Sequence, residues 1–121
     1  MKARAGLCGI FLLVALPLGA GARLSMRVSP SLSFAPANLY VRAMIEADRA
    51  NRGVEIVAES VDFYRASEIE LAGDRAPRTS TFEFRSLPPG TYHVTATLLG
   101  HGRETRAWAQ SQAIVVGGDR R

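Results

Sequence analysis

From residue 23 onward, apolar and polar residues alternate in short runs separated by Pro, Gly and polar clusters. Leu24, Met26 and Val28 alternate with Arg23, Ser25 and Arg27, the period-two pattern of a half-buried strand that Pro30 ends. A short extended piece, 31–34, is closed by Pro36; prolines so early in a sheet domain mark edge strands, where a missing N–H does no harm. In 38–48, Leu39, Val41, Ala43, Ile45 and Ala47 share one parity, and Tyr40, Arg42, Met44, Glu46 and Asp48 share the other. A helix capped by Asn38 is the rival reading, but its stripe of Tyr40, Ala43, Met44 and Ala47 leaves out Val41 and Ile45, so strand is favoured.

After a polar turn at 48–53, Val54, Ile56 and Ala58 oppose Glu55, Val57 and Glu59 on another strand. Residues 62–71 read as a less regular strand with Phe63, Ile69 and Leu71 on one parity, followed by a loop at 72–77. Strand 79–84 points Phe82 and Phe84 inward, and 91–99 is the clearest of all, with Tyr92, Val94, Ala96 and Leu98 on one side. Gly100-His101-Gly102 reads as a hairpin turn in which both glycines supply positive φ. The last strand, 103–116, is expected to be bulged, because Trp108, taken as a core residue, and Val115 differ in parity. About seven strands with breaks every eight to twelve residues fit an all-β sandwich of antiparallel strands.

The first 22 residues carry a different pattern. Lys2 and Arg4 precede a nearly unbroken apolar run from Leu7 to Leu18, and Ala20-Gly21-Ala22 is a small-residue cleavage signal. The run is shorter than the ~20 residues of a membrane span. The expectation is a bacterial-type signal peptide at 1–22 cleaved after Ala22, a secreted or periplasmic β-sandwich domain at 23–117, and a frayed tail at 118–121. No stable membrane span remains after cleavage.

Composition adjusts this picture in two ways. The chain of 121 residues has fifteen Lys and Arg against eleven Asp and Glu, but Lys2 and Arg4 leave with the leader, so the remainder is about +2. Its arginines are interleaved with acids rather than clustered, which argues against nucleic acid as a partner. The single cysteine, Cys8, lies inside the apolar run, so the domain has no disulfide and no thiolate ligand.

One motif stands out. Leu87 precedes Pro88-Pro89-Gly90, and Tyr92 begins the next strand. In Greek-key sandwiches such a tyrosine sends its hydroxyl back to the corner behind it. The segment 82–92, FEFRSLPPGTY, resembles the F-x-F-x-x-L-P-P-G-x-Y stretch of carboxypeptidase regulatory-like, transthyretin-like domains. It is also similar to the L-x-P-G-x-x-Y corner of fibronectin type III domains. The resemblance covers about thirty residues and implies an immunoglobulin-like Greek-key sandwich with an accessory, non-catalytic role. Leu87, Gly90 and Tyr92 are then structural.

Candidate chemistry is sparse. Two histidines, His93 and His101, have no nucleophile elbow or thiol nearby in sequence. Glu68 and Glu70 share a strand face, as a solvated face would also have them. His93, His101 and Glu104 make a thin ligand set that only a hairpin could assemble. The chain is therefore expected to be no enzyme and to carry no cofactor or metal. The outer face of strand 38–48, with Tyr40, Arg42, Met44 and Glu46, mixes residue types enriched at interfaces, so a protein partner is expected. The alternative is a carbohydrate-binding module using exposed aromatics among Tyr40, Tyr64 and Trp108.

Overall fold

The computed structural model describes residues 23–117. The expected leader at 1–22 and tail at 118–121 lie outside the described residues. Eight strands follow in order: β1 (Leu24–Ser29), β2 (Leu32–Phe34), β3 (Ala37–Ile45), β4 (Gly53–Ser60), β5 (Phe63–Glu70), β6 (Thr79–Leu87), β7 (Gly90–Leu99) and β8 (Thr105–Val116). They form two sheets, one ordered β1-β3-β6 and the other β2-β8-β7-β4-β5. The architecture is an all-β sandwich. The expected count of about seven antiparallel strands is corrected to eight, because the short piece after Pro30 pairs with β8, and does so in parallel register.

Alternation decides the layering. In β3, Leu39, Val41, Ala43 and Ile45 are buried while Tyr40 and Arg42 are exposed, as a strand requires and a helix would not allow. Val54, Ile56 and Ala58 from β4 and Tyr92, Val94, Ala96 and Leu98 from β7 meet them from the other sheet. Phe82, Phe84 and Leu87 from β6 complete the interior. Each fully buried Leu, Val, Ile or Phe contributes roughly 1.5–3 kcal/mol relative to exposure, so this shared interior is the main source of stability.

The last strand corrects the sequence reading. Ala107, Ala109, Ser111, Ala113 and Val115 keep one inward parity throughout β8, and the irregularity lies at its start, between Leu98 and Leu99 on β7. Trp108 is on the outer face and 56% exposed, so it is no core residue. The parity change disappears once Trp108 is taken out of the interior. The turn before β8 also differs from expectation. Gly100 is extended at φ −106°, and the positive φ values belong to Gly102 (65°) and Arg103 (64°).

The turn at 48–53 is less solvated than its composition suggests. Asp48 Oδ1 accepts the Ala50 N–H at 2.8 Å, closing a local turn. Asn51 is buried there; its Nδ2 donates to the Glu46 carbonyl at 3.0 Å, and its own carbonyl accepts the Gly73 N–H at 3.1 Å. Gly73 opens the short 3-10 turn Gly73–Arg75 at φ 59°, where a Cβ would stand 3.1 Å from the Arg49 carbonyl oxygen. Only glycine tolerates both conditions.

Candidate functional site

The corner between β6 and β7 is closely packed and hydrogen-bonded. Leu87 is buried as the last residue of β6, and the Tyr92 hydroxyl donates to the Pro88 carbonyl at 2.6 Å. The Tyr92 ring meets Phe63 edge-to-face, with centroids 5.7 Å apart and planes at 76°. At Gly90 a Cβ would lie 3.2 Å from the Ser60 Cβ, so a side chain there would press the corner off β4. Leu87, Gly90 and Tyr92 thus come together at one end of the sandwich.

The outer face of the three-stranded sheet holds the expected interaction residues. Tyr40 stands between Ser29 of β1 and Glu83 of β6, Arg42 between Arg27 and Thr81, and Met44 between Ser25 and Thr79. Tyr40 and Arg42 are exposed and Met44 half-buried. Glu46 falls beyond the end of β3, so the structure groups three of the four expected residues and leaves the fourth at the rim. Arg27 and Arg42 are exposed cross-strand partners on this one face. Like charges directly opposite each other are destabilising. Neither pairs with an acid among the described residues; Glu83 in the next row is instead held by Arg85, whose Nε lies 3.3 Å from Glu83 Oε1. Arg27 escapes a sequence reading because only the pairing register brings it beside Arg42.

The outer face of the five-stranded sheet has another character. One row across β5, β4, β7 and β8 runs Tyr64, Glu59, His93, Gln112, and another runs Glu68, Glu55, Thr97, Trp108. An open cleft of about 560 Å³ lies at the first row, lined among others by Glu59, Asp62, Thr91, His93 and Gln110. Of the three aromatics considered from sequence, Tyr64 and Trp108 share this face, and Tyr40 is on the opposite side of the sandwich.

Glu68 receives two bonds from Arg103, at 2.8 and 3.1 Å. The Arg103 guanidinium lowers the Glu68 carboxyl from its ordinary value, and Glu68 in turn raises Arg103. Asp48 is lowered chiefly by the Ala50 backbone N–H, with Arg106, 3.0 Å away, adding to it. Glu68 and Glu70 do share a face, with Glu68 engaged by arginine. The hairpin does not assemble His93 with His101: His93 is in the first half of β7 and His101 in the turn beyond its end, eight residues and roughly 25 Å away at strand spacing. No group of three or more His, Cys, Asp or Glu side chains among the described residues could hold a metal ion. No helix among them is long and apolar enough to cross a membrane.

No family model matches the sequence, and no curated protein matches it. Among solved structures, a superoxide reductase (neelaredoxin) from Ignicoccus hospitalis is similar at a TM-score of 0.57 and 12% identity, over 77% of this chain and 80% of that one. A family 76 glycoside hydrolase from a bovine Bacteroides thetaiotaomicron strain is similar at a TM-score of 0.55 and 16% identity, over 76% of this chain and 20% of that one. These likenesses are of fold and carry no residue across. They do correct one expectation. The sequence reading excludes an enzyme partly on the resemblance to accessory domains, yet a superoxide reductase, which is an enzyme, shares this architecture. The fold gives no ground for excluding an enzyme.

Proposed function

We propose that this chain is an extracytoplasmic binding module of the immunoglobulin-like Greek-key kind, whose three-stranded sheet docks an acidic surface of a protein partner. Support for the fold assignment comes from the strand orders β1-β3-β6 and β2-β8-β7-β4-β5, together with the tyrosine at the β6–β7 corner. Support for the address comes from the basic start, apolar run and small-residue cleavage signal of residues 1–22. The observation that carries the binding reading is the exposed Arg27–Arg42 cross-strand pair, flanked by Tyr40 and Met44. A free protein gains nothing from opposing two cations on a solvated face. A carboxylate-bearing partner would bridge both guanidinium groups, and arginine and aromatic side chains are the types that dominate protein interfaces.

The test is a photo-crosslinker placed at Thr81, beside Arg42, with Thr95 on the opposite face as control. In producing cells, Thr81 should yield an adduct with a protein that presents an acidic surface, and Thr95 should not. High salt or the double substitution Arg27→Glu, Arg42→Glu should abolish it. Equal adducts from both positions, or indifference to salt and to the arginines, would refute this reading.

A further inference from the structure

We infer that the outer face of the five-stranded sheet is a separate site for a neutral sugar chain, laid from Tyr64 at one edge to Trp108 on β8. This rests on other residues than the arginine face and stands independently of it. Tyr64 is 65% exposed and Trp108 56% exposed, and neither contributes to the interior. Their rows are four residues apart along the strands and three strands apart across them. At strand spacing the two rings are therefore roughly 20 Å apart on one surface. That span suits several sugar units, each aromatic supplying an apolar plate with a polar edge.

Between the plates the surface is furnished for hydroxyl groups. Glu55, Glu59, Thr95, Thr97, Gln110 and His93 alternate outward from β4, β7 and β8. They offer carboxylate and carbonyl acceptors together with hydroxyl, amide and imidazole donors, the mixture that vicinal diols require. The cleft of about 560 Å³ beside Glu59 and His93 would take one sugar ring off the main line.

Charge selects among sugar polymers. The face carries Glu55, Glu59 and Glu68, while the cations at its Trp108 end, Arg103 and Arg106, are already paired with Glu68 and Asp48. A polyanionic chain would meet carboxylates without compensating cations, so the ligand is uncharged. An alternative occupant, the arginine face of a second copy, would also match these carboxylates, but would leave Tyr64 and Trp108 without a role.

Native affinity electrophoresis of the protein in gels containing hydroxyethylcellulose, xylan or galactomannan, with alginate as the polyanion, tests the assignment. At least one neutral polymer should retard the protein. Trp108 is the only tryptophan, so its emission should shift to the blue and resist acrylamide when that polymer is added. Trp108→Ala and Tyr64→Ala, checked for fold by circular dichroism, should each weaken retardation about tenfold. Tyr40→Ala and the Arg27→Glu, Arg42→Glu protein should be retarded like the parent, which separates this site from the arginine face. Retardation by alginate alone, by no polymer, or unchanged in both alanine variants would overturn it. So would self-association at low salt with no response to sugar.

Discussion

Replacing Tyr92 by Phe removes one oxygen from the interior and tests how the β6–β7 corner is held. The ring stays, with its edge-to-face contact on Phe63 at 5.7 Å, so the packing contribution is retained. What is lost is the 2.6 Å bond to the Pro88 carbonyl. Pro88 is exposed, so water can take over its carbonyl and the full penalty for a buried unpaired group does not apply. The expected loss is that of an ordinary net hydrogen bond, about 0.5–1.5 kcal/mol. In urea the midpoint should fall with the slope m unchanged, because the surface exposed on unfolding is the same. For a domain of this size the melting temperature should drop by roughly 2–12 °C.

A pH series sharpens the same experiment. Burial pushes the Tyr92 phenol above its ordinary value, opposed by the Ser60 hydroxyl and the Arg65 charge. The folded protein therefore keeps a proton that the unfolded chain gives up near pH 10. That contribution is complete below the unfolded value and is lost as pH rises through the folded one. Tyr92→Phe should lack the corresponding alkaline decline. A midpoint unchanged or raised at neutral pH would show that the hydroxyl does not pin the corner, and an alkaline decline identical in both proteins would show that the phenol is not buried as described.

Three other outcomes are expected. Asn51→Ala should destabilise by about 0.5–1.5 kcal/mol in urea, because it removes the Asn51 side-chain bond to the carbonyl of Glu46, an exposed residue that water can reach; a neutral effect would count against that bridge. In carbon-detected NMR the Glu68 carboxyl should titrate below its ordinary value and return to it in Arg103→Ala, and the stability it lends should be present above the ordinary carboxylate range and fade as pH falls through the lowered value. Intact-mass analysis of the protein recovered from its native host should give an N-terminus at Arg23; a species that retains residues 1–22 would remove the case for a cleaved leader.

Legibility in the sequence followed the strength of alternation. β3 and β7 were plain because their inward positions are uniformly apolar and their outward ones mostly polar, and Tyr92 announced its corner through the prolines and glycine before it. β8 was misread because an aromatic was assumed to be buried. The correct signal was the run of small residues at 107, 109, 111 and 113, whose parity needs no change. Asn51 was hidden because a polar residue in a polar turn gives no sign of burial; its role depends on Gly73, more than twenty residues later. The arginine pair, and the fact that Tyr64 and Trp108 but not Tyr40 share a face, were invisible for a related reason. Each is made by strand register between segments far apart in the chain, and no local pattern encodes register across a sheet.

The parallel seam between β2 and β8 sets an order of assembly. β2 has β8 as its one sheet neighbour, and β8 is the last described strand. A chain emerging amino-end first must carry Leu32 and Phe34 unmatched until almost everything else has been delivered. Closure is thus governed by contacts between distant ends, the class that folds slowly. If residues 1–22 direct export, as proposed above, such slow closure would leave more time for the chain to be threaded before it folds.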